Sequence, residues 1–274
     1  MTRCLVEGWV MGKKTSGSYD ITLKKKEIED YYRYEAPEVP GTGSSPPFQQ
    51  QILKEVLDRL RLDPMSRILD LGSGDGLNIL TLIDYFLEII AVDISLLALS
   101  RCKRTFYRFG LDWRMKFITG NIVSLPFIDH SFDLIICTET LEHVVDLDAA
   151  VREISRVLKE NGFVFISCPV YWNLIGLYKR YNDKKMGRLS WEPWGTHKEG
   201  LEKHMTPKLL EKLLKRSFKI VFTRGGGYIL PWFFPLFSIL PKLREYDKIH
   251  LFFRLGKLPL FKKMAMHYYI LAKG

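Results

Sequence analysis

The amino-acid sequence predicts an α/β protein, a doubly wound and mostly parallel sheet of seven strands with helices on both faces. Between residues 64 and 169, five apolar runs of strand length alternate with segments of helical period. The runs are apolar at nearly every position, as strands buried on both faces must be. Two more strand-like runs after residue 206 bring the set to seven.

The elements follow in order. "FQQQILKEVLDRLRL" places Ile52, Val56, Leu57 and Leu60 on one helical face. "RILDLG", "LEIIAVDI", "MKFITG", "FDLIICT" and "GFVFISCP" are the five strands. Between them lie the helical segments "GLNILTLIDYF", "SLLALSRCKRTFYRFG" with Ser95 as N-cap, and "DLDAAVREISRVLKENG", which Gly162 is expected to close. "TPKLLEKLLKR" restores a helix with Thr206 as N-cap and Pro207 at its first position. "FKIVFTR" and "MAMHYYILAKG" read as the last two strands.

This pattern divides the chain into a loosely held arm and linker at 1–46, a ligand-binding core at 47–168, and a C-terminal part at 169–274. The last part completes the sheet at about 206–224 and 264–274. It also carries a Trp- and Tyr-rich lid at about 170–205 and an apolar and basic insertion at about 228–263. "PEVPGTGSSPP" is the linker that ends the arm.

Charge is unevenly spread. The chain carries a net +10, yet residues 1–70 balance, residues 71–168 sum to −4 and residues 169–274 to +14. This distribution speaks against a uniform nucleic-acid-binding surface, and an anionic partner, whether a phosphate-bearing substrate, RNA or a membrane surface, would meet the C-terminal third. A solvated lysine-rich face is the plainer alternative. Cys4, Cys102, Cys137 and Cys168 show no C-x-x-C spacing, which fits a reducing compartment and speaks against a disulfide scaffold or zinc site. Glu7 interrupts the short apolar stretch at the N-terminus, which makes it a poor signal peptide. The apolar run "YILPWFFPLFSIL", with Pro231 and Pro235, falls short of the ~20 residues that a membrane span needs. With Lys242, Arg244, Lys248, Arg254, Lys257, Lys262 and Lys263 after it, it suits an interfacial segment on an anionic membrane. Roofing the site or joining two subunits would use the same residues.

The chemistry concentrates in "LDLGSGDGLN". A dinucleotide fingerprint from Gly72 would require glycine where Leu77 stands, so the pattern is instead D-x-G-x-G-x-G from Asp70 through Gly72, Gly74 and Gly76. A glycine turn between a strand and a helix lets backbone approach a ligand. Asp93 ends the next strand, where a carboxylate can accept both hydroxyls of a ribose. Asn121 ends the third strand, either as a ligand contact or as a turn residue, and Glu139 follows the fourth.

"ILDLGSGDG", "AVDIS", "GNIVSLPFIDHSFDLIICTETLEHV" and "ISRVLKENGFVFIS" resemble the successive motifs of class I S-adenosylmethionine-dependent methyltransferases, particularly the small-molecule and quinone-type branch. The resemblance covers about residues 50–168 and extends more loosely through "HMTPKLLEKLLKRSFKI". It implies a Rossmann-like methyltransferase fold with a C-terminal lid, S-adenosylmethionine as cosubstrate, and no metal. It also implies cofactor-binding roles for Asp70, Gly72, Ser73, Gly74, Gly76, Asp93, Ile94, Asn121, Ile122 and Glu139. Under it, the three glycines pass close to the methionine and ribose, and Asp70 holds the turn or the amino-acid ammonium. Asp93 takes the ribose hydroxyls with Ile94 beside the adenine. Asn121 stands where the family commonly has Asp, and its carbonyl oxygen can still accept from the adenine amine.

A protic acceptor also calls for a base, and histidine suits neutral pH. His143, His197 and His204 are the candidates, while His130 reads as solvated and His250 and His267 as structural. If "ETLEH" is helical, Glu139 and His143 form an i, i+4 pair. Such a pair would be open to a divalent metal, to acid–base work or to local packing. The expected acceptor is a small-molecule or lipid-like compound, in a cytoplasmic protein peripheral to the inner face of the membrane. Nucleic acid is the alternative partner, in a transfer-RNA methyltransferase. Against it, the fourth strand ends in "CTETLEH" rather than in the N/D-P-P-Y/F type used on exocyclic amines. A non-catalytic binding module of the same fold and a nicotinamide oxidoreductase complete the alternatives, the latter disfavoured by the glycine spacing.

Overall fold

The computed structural model describes residues 47–108, 111–170, 203–226 and 257–274, with positions 177, 178, 181, 185 and 254. Seven strands form one sheet: β1 (Ile68–Leu71), β2 (Ile89–Asp93), β3 (Met115–Thr119), β4 (Phe132–Thr138), β5 (Leu158–Pro169), β6 (Lys219–Gly226) and β7 (His267–Lys273). Their spatial order is β3-β2-β1-β4-β5-β7-β6. The helices are α1 (Pro47–Leu60), α2 (Leu77–Leu82), α3 (Leu96–Arg108), α4 (Leu147–Val157), α5 (Pro207–Leu214) and α6 (Pro259–Met264).

The apolar runs alternate in which face they serve. Leu69, Leu71, Ile135 and Cys137 pack with Ile154 of α4 and with Leu210 and Leu214 of α5. Ile68, Leu134 and Ile136 point the other way, onto Ile52 and Val56 of α1, Ile79 of α2, and Leu99 and Phe106 of α3. Each fully buried Leu or Ile contributes about 1.5–3 kcal/mol, so both faces drive the fold. Helix starts are capped as the sequence indicates. Ser95 Oγ accepts from Ala98 N at 3.2 Å, and Thr206 Oγ1 accepts from Leu209 N at 3.1 Å, with Pro207 next in line. Asp146 caps α4 through Ala149 N at 2.9 Å.

The end of α4 differs from expectation. The helix stops at Val157, and Leu158 already pairs with Phe132 of β4. Gly162 is not a helix stop but lies within β5, in the stretch where its register with β4 shifts between Leu158 and Phe163. Asn161 there sits at φ 64, and a Cβ on Gly162 would lie 2.9 Å from the Lys159 carbonyl oxygen. Pairing of Leu158 with the buried β4 outweighs continuation of the helical pattern.

Four strands, β3, β2, β1 and β4, run parallel and end at one edge, and β5 joins them. β7 runs antiparallel between β5 and β6, so its first residue, His267, lies opposite Pro169 and Gly226 at that same edge. The predicted arm at 1–46, the apolar run at 228–241 and almost all of the predicted lid lie outside the described residues. The end of the predicted insertion forms α6, which lies so close to β6 that a Cβ on Gly225 would come within 2.6 Å of the Lys262 carbonyl oxygen. Two of the cations assigned above to a membrane surface have protein partners. Lys262 Nζ donates to Thr223 Oγ1 at 2.7 Å, and Lys257 Nζ is 3.4 Å from Glu55 Oε1. Among the described residues no helix is long and apolar enough to cross a membrane.

Candidate functional site

The strand ends bring the predicted residues together along one edge. The chain leaves β1 into a turn in which Gly72, Gly74 and Gly76 have φ values of 68, 52 and 84. Gly72 N and Ser73 N both donate to the Val92 carbonyl, at 2.8 and 3.1 Å, which fixes the turn on β2. The three glycines serve different ends. A Cβ on Gly72 would lie 2.2 Å from Thr140 Oγ1, and one on Gly76 would lie 2.5 Å from Cys102 Sγ. A Cβ on Gly74 would meet nothing within 4 Å. Gly72 and Gly76 thus have a second reason to be glycine, the close approach of Thr140 and Cys102, while a Cβ on Gly74 would enter open space.

Asp70 lies directly beneath this turn and is fully buried, and neither carboxylate oxygen has a hydrogen-bond partner among the described residues. Burial pushes its carboxyl up to about 7. The nearby Asn78 amide, which also donates to Thr138 Oγ1 at 2.7 Å, pulls it down in part, and Asp93 adds a further upward push. An unpartnered buried carboxylate is costly. A ligand that brings a cationic amine to the turn would relieve that cost. Ser73 Oγ is likewise buried without a partner. Asp93 holds the turn from the side. Its Oδ2 accepts from Gly74 N at 2.9 Å and its Oδ1 from Ser95 N at 2.8 Å, which leaves lone pairs on both oxygens for ribose hydroxyls. Burial raises its carboxyl, and these two backbone bonds pull it back. This set of donors and acceptors fits S-adenosylmethionine.

Ile94 and Ile122 are half-buried at the ends of β2 and β3. Asn121 serves as a turn residue, its Oδ1 accepting from Val123 N at 3.2 Å.

Glu139 sits at φ 50, a conformation that costs a non-glycine residue about 1–2 kcal/mol. It is held by three contacts. Its N donates to the Ser167 carbonyl at 3.0 Å, its Oε1 accepts from Ser167 Oγ at 2.7 Å, and its Oε2 lies 3.1 Å from His267 Nδ1. The conditional helical pairing of Glu139 with His143 does not form. Only Leu141–His143 makes a single 3-10 turn, which Glu139 precedes. His143 Nε2 is instead 3.9 Å from Glu142 Oε1. Lys203 N donates to the Glu142 carbonyl at 2.7 Å, which lays the segment carrying half-buried His204 against that turn. His197 lies outside the described residues. Among the described residues no three His, Cys, Asp or Glu side chains converge as a metal site requires.

Sequence reasoning missed two features. One is a buried amide and hydroxyl network under the turn, in which Gln49 Nε2 donates to Asn78 Oδ1 at 2.8 Å and to Thr138 Oγ1 at 3.1 Å. The other is the contact of His267, read as structural, with Glu139 at the edge where the parallel strands end. The available signal was its place at the first residue of a terminal strand. If that strand runs antiparallel, its beginning meets the ligand edge.

Comparison with known proteins agrees with this geometry. The family described as "Methyltransferase domain" matches residues 69–166. The uncharacterized protein MJ0638 of Methanocaldococcus jannaschii is 30% identical over 240 residues, 81% of this chain and 89% of that protein. The demethylmenaquinone methyltransferase of Corynebacterium urealyticum is 32% identical over 131 residues, 47% of this chain and 54% of that protein. MJ0638 apart, the chain spans about half the length of the curated relatives it matches. Among solved structures, a SAM-dependent methyltransferase from Methanosarcina mazei superposes with a TM-score of 0.58 at 22% identity, covering 79% of this chain and 96% of that one. At that identity the likeness is one of fold. A methyltransferase-domain match that runs from β1 across the glycine turn into β5, on a sheet of this order, makes the chain a member of the class I S-adenosylmethionine-dependent methyltransferases.

Proposed function

We propose that the chain transfers a methyl group from S-adenosylmethionine to a bulky, apolar small-molecule acceptor such as an isoprenoid, a quinone precursor or a lipid-linked compound. Asp70 carries the donor half of this reading, as a fully buried carboxylate without a partner under the one glycine that faces open space. When bound, S-adenosylmethionine supplies a methyl group already activated on a sulfonium. What remains for the protein is alignment, worth about 7–11 kcal/mol in favourable cases. Asp70 would face the amino-acid ammonium, and Asp93 would accept from the ribose hydroxyls. Ile94 and Ile122 would flank the adenine, and Asn121 would accept from its amine. Gly74 and Ser73 would line the methionine with Glu139 near it.

The acceptor half is supported by a relative named for demethylmenaquinone and by the apolar run at 228–241, which lies outside the described residues. The same run, with the cations after it, supports peripheral binding to an anionic membrane at the cytoplasmic face.

Calorimetric titration with S-adenosylmethionine and S-adenosylhomocysteine, with NADH as control, tests the donor half. Micromolar binding of the first two alone is expected, and no binding by a folded sample rejects the reading. Release of S-adenosylhomocysteine is then followed with lipid extract and with transfer RNA as acceptors. Turnover on the RNA alone would replace the apolar acceptor with nucleic acid.

A further inference from the structure

We propose that the Thr138 hydroxyl donates its hydrogen to the α-carboxylate of the methionine moiety of S-adenosylmethionine, so that Thr138 selects for a donor with an amino-acid tail. This inference rests on the methyltransferase reading and adds to it a partner for one end of the cosubstrate. Thr138 is the last residue of β4 and is 5% exposed. Its Oγ1 accepts from Gln49 Nε2 at 3.1 Å and from Asn78 Nδ2 at 2.7 Å. A hydroxyl oxygen offers two lone pairs and one hydrogen. Both lone pairs are engaged, so the hydrogen must point in the remaining direction. No acceptor for it stands among the described residues, where neither Asp70 oxygen takes part in a hydrogen bond.

Three elements fix the direction of that hydrogen. Gln49 of α1, itself buried, also donates to Asn78 Oδ1 at 2.8 Å, which turns the Asn78 Nδ2 group toward Thr138. The helix that carries Gln49 is held in turn by Glu55, which pairs with the fully buried Arg224 of β6. Two amide donors on one hydroxyl oxygen polarise its O–H bond, so the hydrogen left over is a stronger donor than that of an isolated threonine. A buried donor without an acceptor is costly, and an anionic acceptor relieves that cost most fully.

The place of Thr138 in the sheet selects the carboxylate among the acceptors that the donor carries. β2 and β4 flank β1. Asp93, proposed to take the ribose, ends β2, and Thr138 ends β4, two strand spacings or about 10 Å away. A donor anchored by its adenosine at β2 and β3 therefore presents its methionine end to β1 and β4. Side chains alternate between the faces of a sheet. Asp70 is paired with Ile136, two residues before Thr138, so Asp70 and Thr138 stand on the same face, the one that packs on α1 and α2. The ammonium proposed for Asp70 and the carboxylate share one carbon atom of the donor, so a site that takes the first brings the second close to Thr138.

The test compares S-adenosylmethionine with its decarboxylated form by calorimetry on the full chain. The decarboxylated form keeps the adenosine, the sulfonium and the amine, so the ratio of the two affinities reads the carboxylate contact. In the parent, S-adenosylmethionine is expected to bind at least about tenfold more tightly, the scale of one hydrogen bond to a charged group. Thr138→Val keeps the shape and removes the hydroxyl, Thr138→Ala removes it with less crowding, and Thr138→Ser keeps it. The ratio is expected to fall at least about tenfold in Thr138→Val and Thr138→Ala and to stay within about threefold of the parent in Thr138→Ser. A threonine that only supports the turn would weaken both ligands alike and leave the ratio where it was. A ratio within threefold of the parent in either folded variant overturns the proposal, as does an equal fall in Thr138→Ser. Equal binding of the two forms by the parent overturns it without any variant. Failure of the parent to bind S-adenosylmethionine at all rejects the underlying donor reading instead.

Discussion

Asp70 offers the sharpest separation of stability from function. Its carboxyl is held at about 7 against an ordinary 3.8, so three pKa units correspond to about 4 kcal/mol. The sign follows from proton counts. Between pH 3.8 and about 7 the folded chain keeps a proton that the unfolded chain has lost, so stability falls as pH rises through this window and the cost is complete above it. Asp70→Asn removes the charge but leaves a buried amide to satisfy, at roughly 1–3 kcal/mol. The variant should therefore be more stable than the parent at pH 8 by about 1–3 kcal/mol, a rise in Tm of about 2–10 °C for a chain of this size. At pH 5, where the parent is already protonated, the gain should vanish or reverse. Binding should move the opposite way. S-adenosylmethionine affinity is expected to drop about 10–100-fold, the scale of one charge-assisted hydrogen bond. If the ammonium ionises Asp70, the parent should also release about half a proton on binding at pH 7, and the variant none. Thermal unfolding at the two pH values, with calorimetry in two buffers of different ionisation enthalpy, measures all of this. Equal destabilisation at pH 5 and pH 8 with unchanged affinity would refute the reasoning.

Asp93→Ala removes the acceptor for Gly74 N and Ser95 N as well as the proposed sugar contact. Calorimetry should show S-adenosylmethionine affinity reduced about 10–100-fold, on the scale of lost charge-assisted bonds, and parental affinity would reject the assignment. Gly72→Ala drives a methyl group to within 2.2 Å of Thr140 Oγ1 and should destabilise folding by more than about 2 kcal/mol in denaturant titration. Gly74→Ala meets only left-handed backbone strain, about 1–2 kcal/mol, and should act mainly on cofactor affinity. Thr206→Ala loses the cap on α5 and should cost about 1 kcal/mol of stability without altering cofactor binding.

What the sequence made legible was whatever depends on short-range pattern. Buried parallel strands announce themselves as continuous apolar runs, and Asp70 and Asp93 stand in the last residues of two of them while Asn121 and Glu139 come just after two others, so their shared edge could be read before any coordinates. The end of α4 could not. Its helical period continues through Lys159, and only the pairing of Leu158 with Phe132 ends it earlier. His267 was hidden for a related reason. Its place beside Glu139, 128 residues away in the chain, depends on β7 entering the sheet antiparallel between β5 and β6. An apolar terminal strand does not state its direction. Had β7 run parallel, its first residue would lie at the opposite edge from the glycine turn.

The same distinction divides the glycines, which look alike in "LGSGDGLN". Composition says only that three positions lack a side chain. Whether the missing Cβ leaves room for Thr140, for Cys102 or for a ligand is decided by elements that arrive from later in the chain. The motif thus has close protein contacts beside two of its glycines and open space beside the third. Thr140 makes one of them and directly follows Glu139, so the contact that closes the donor turn also fixes where the Glu139–His267 pair stands. A shift of β4 large enough to free Gly72 would move the carboxylate with it. The donor turn and the Glu139–His267 contact therefore share one mechanical support, and a change at Thr140 should disturb both together.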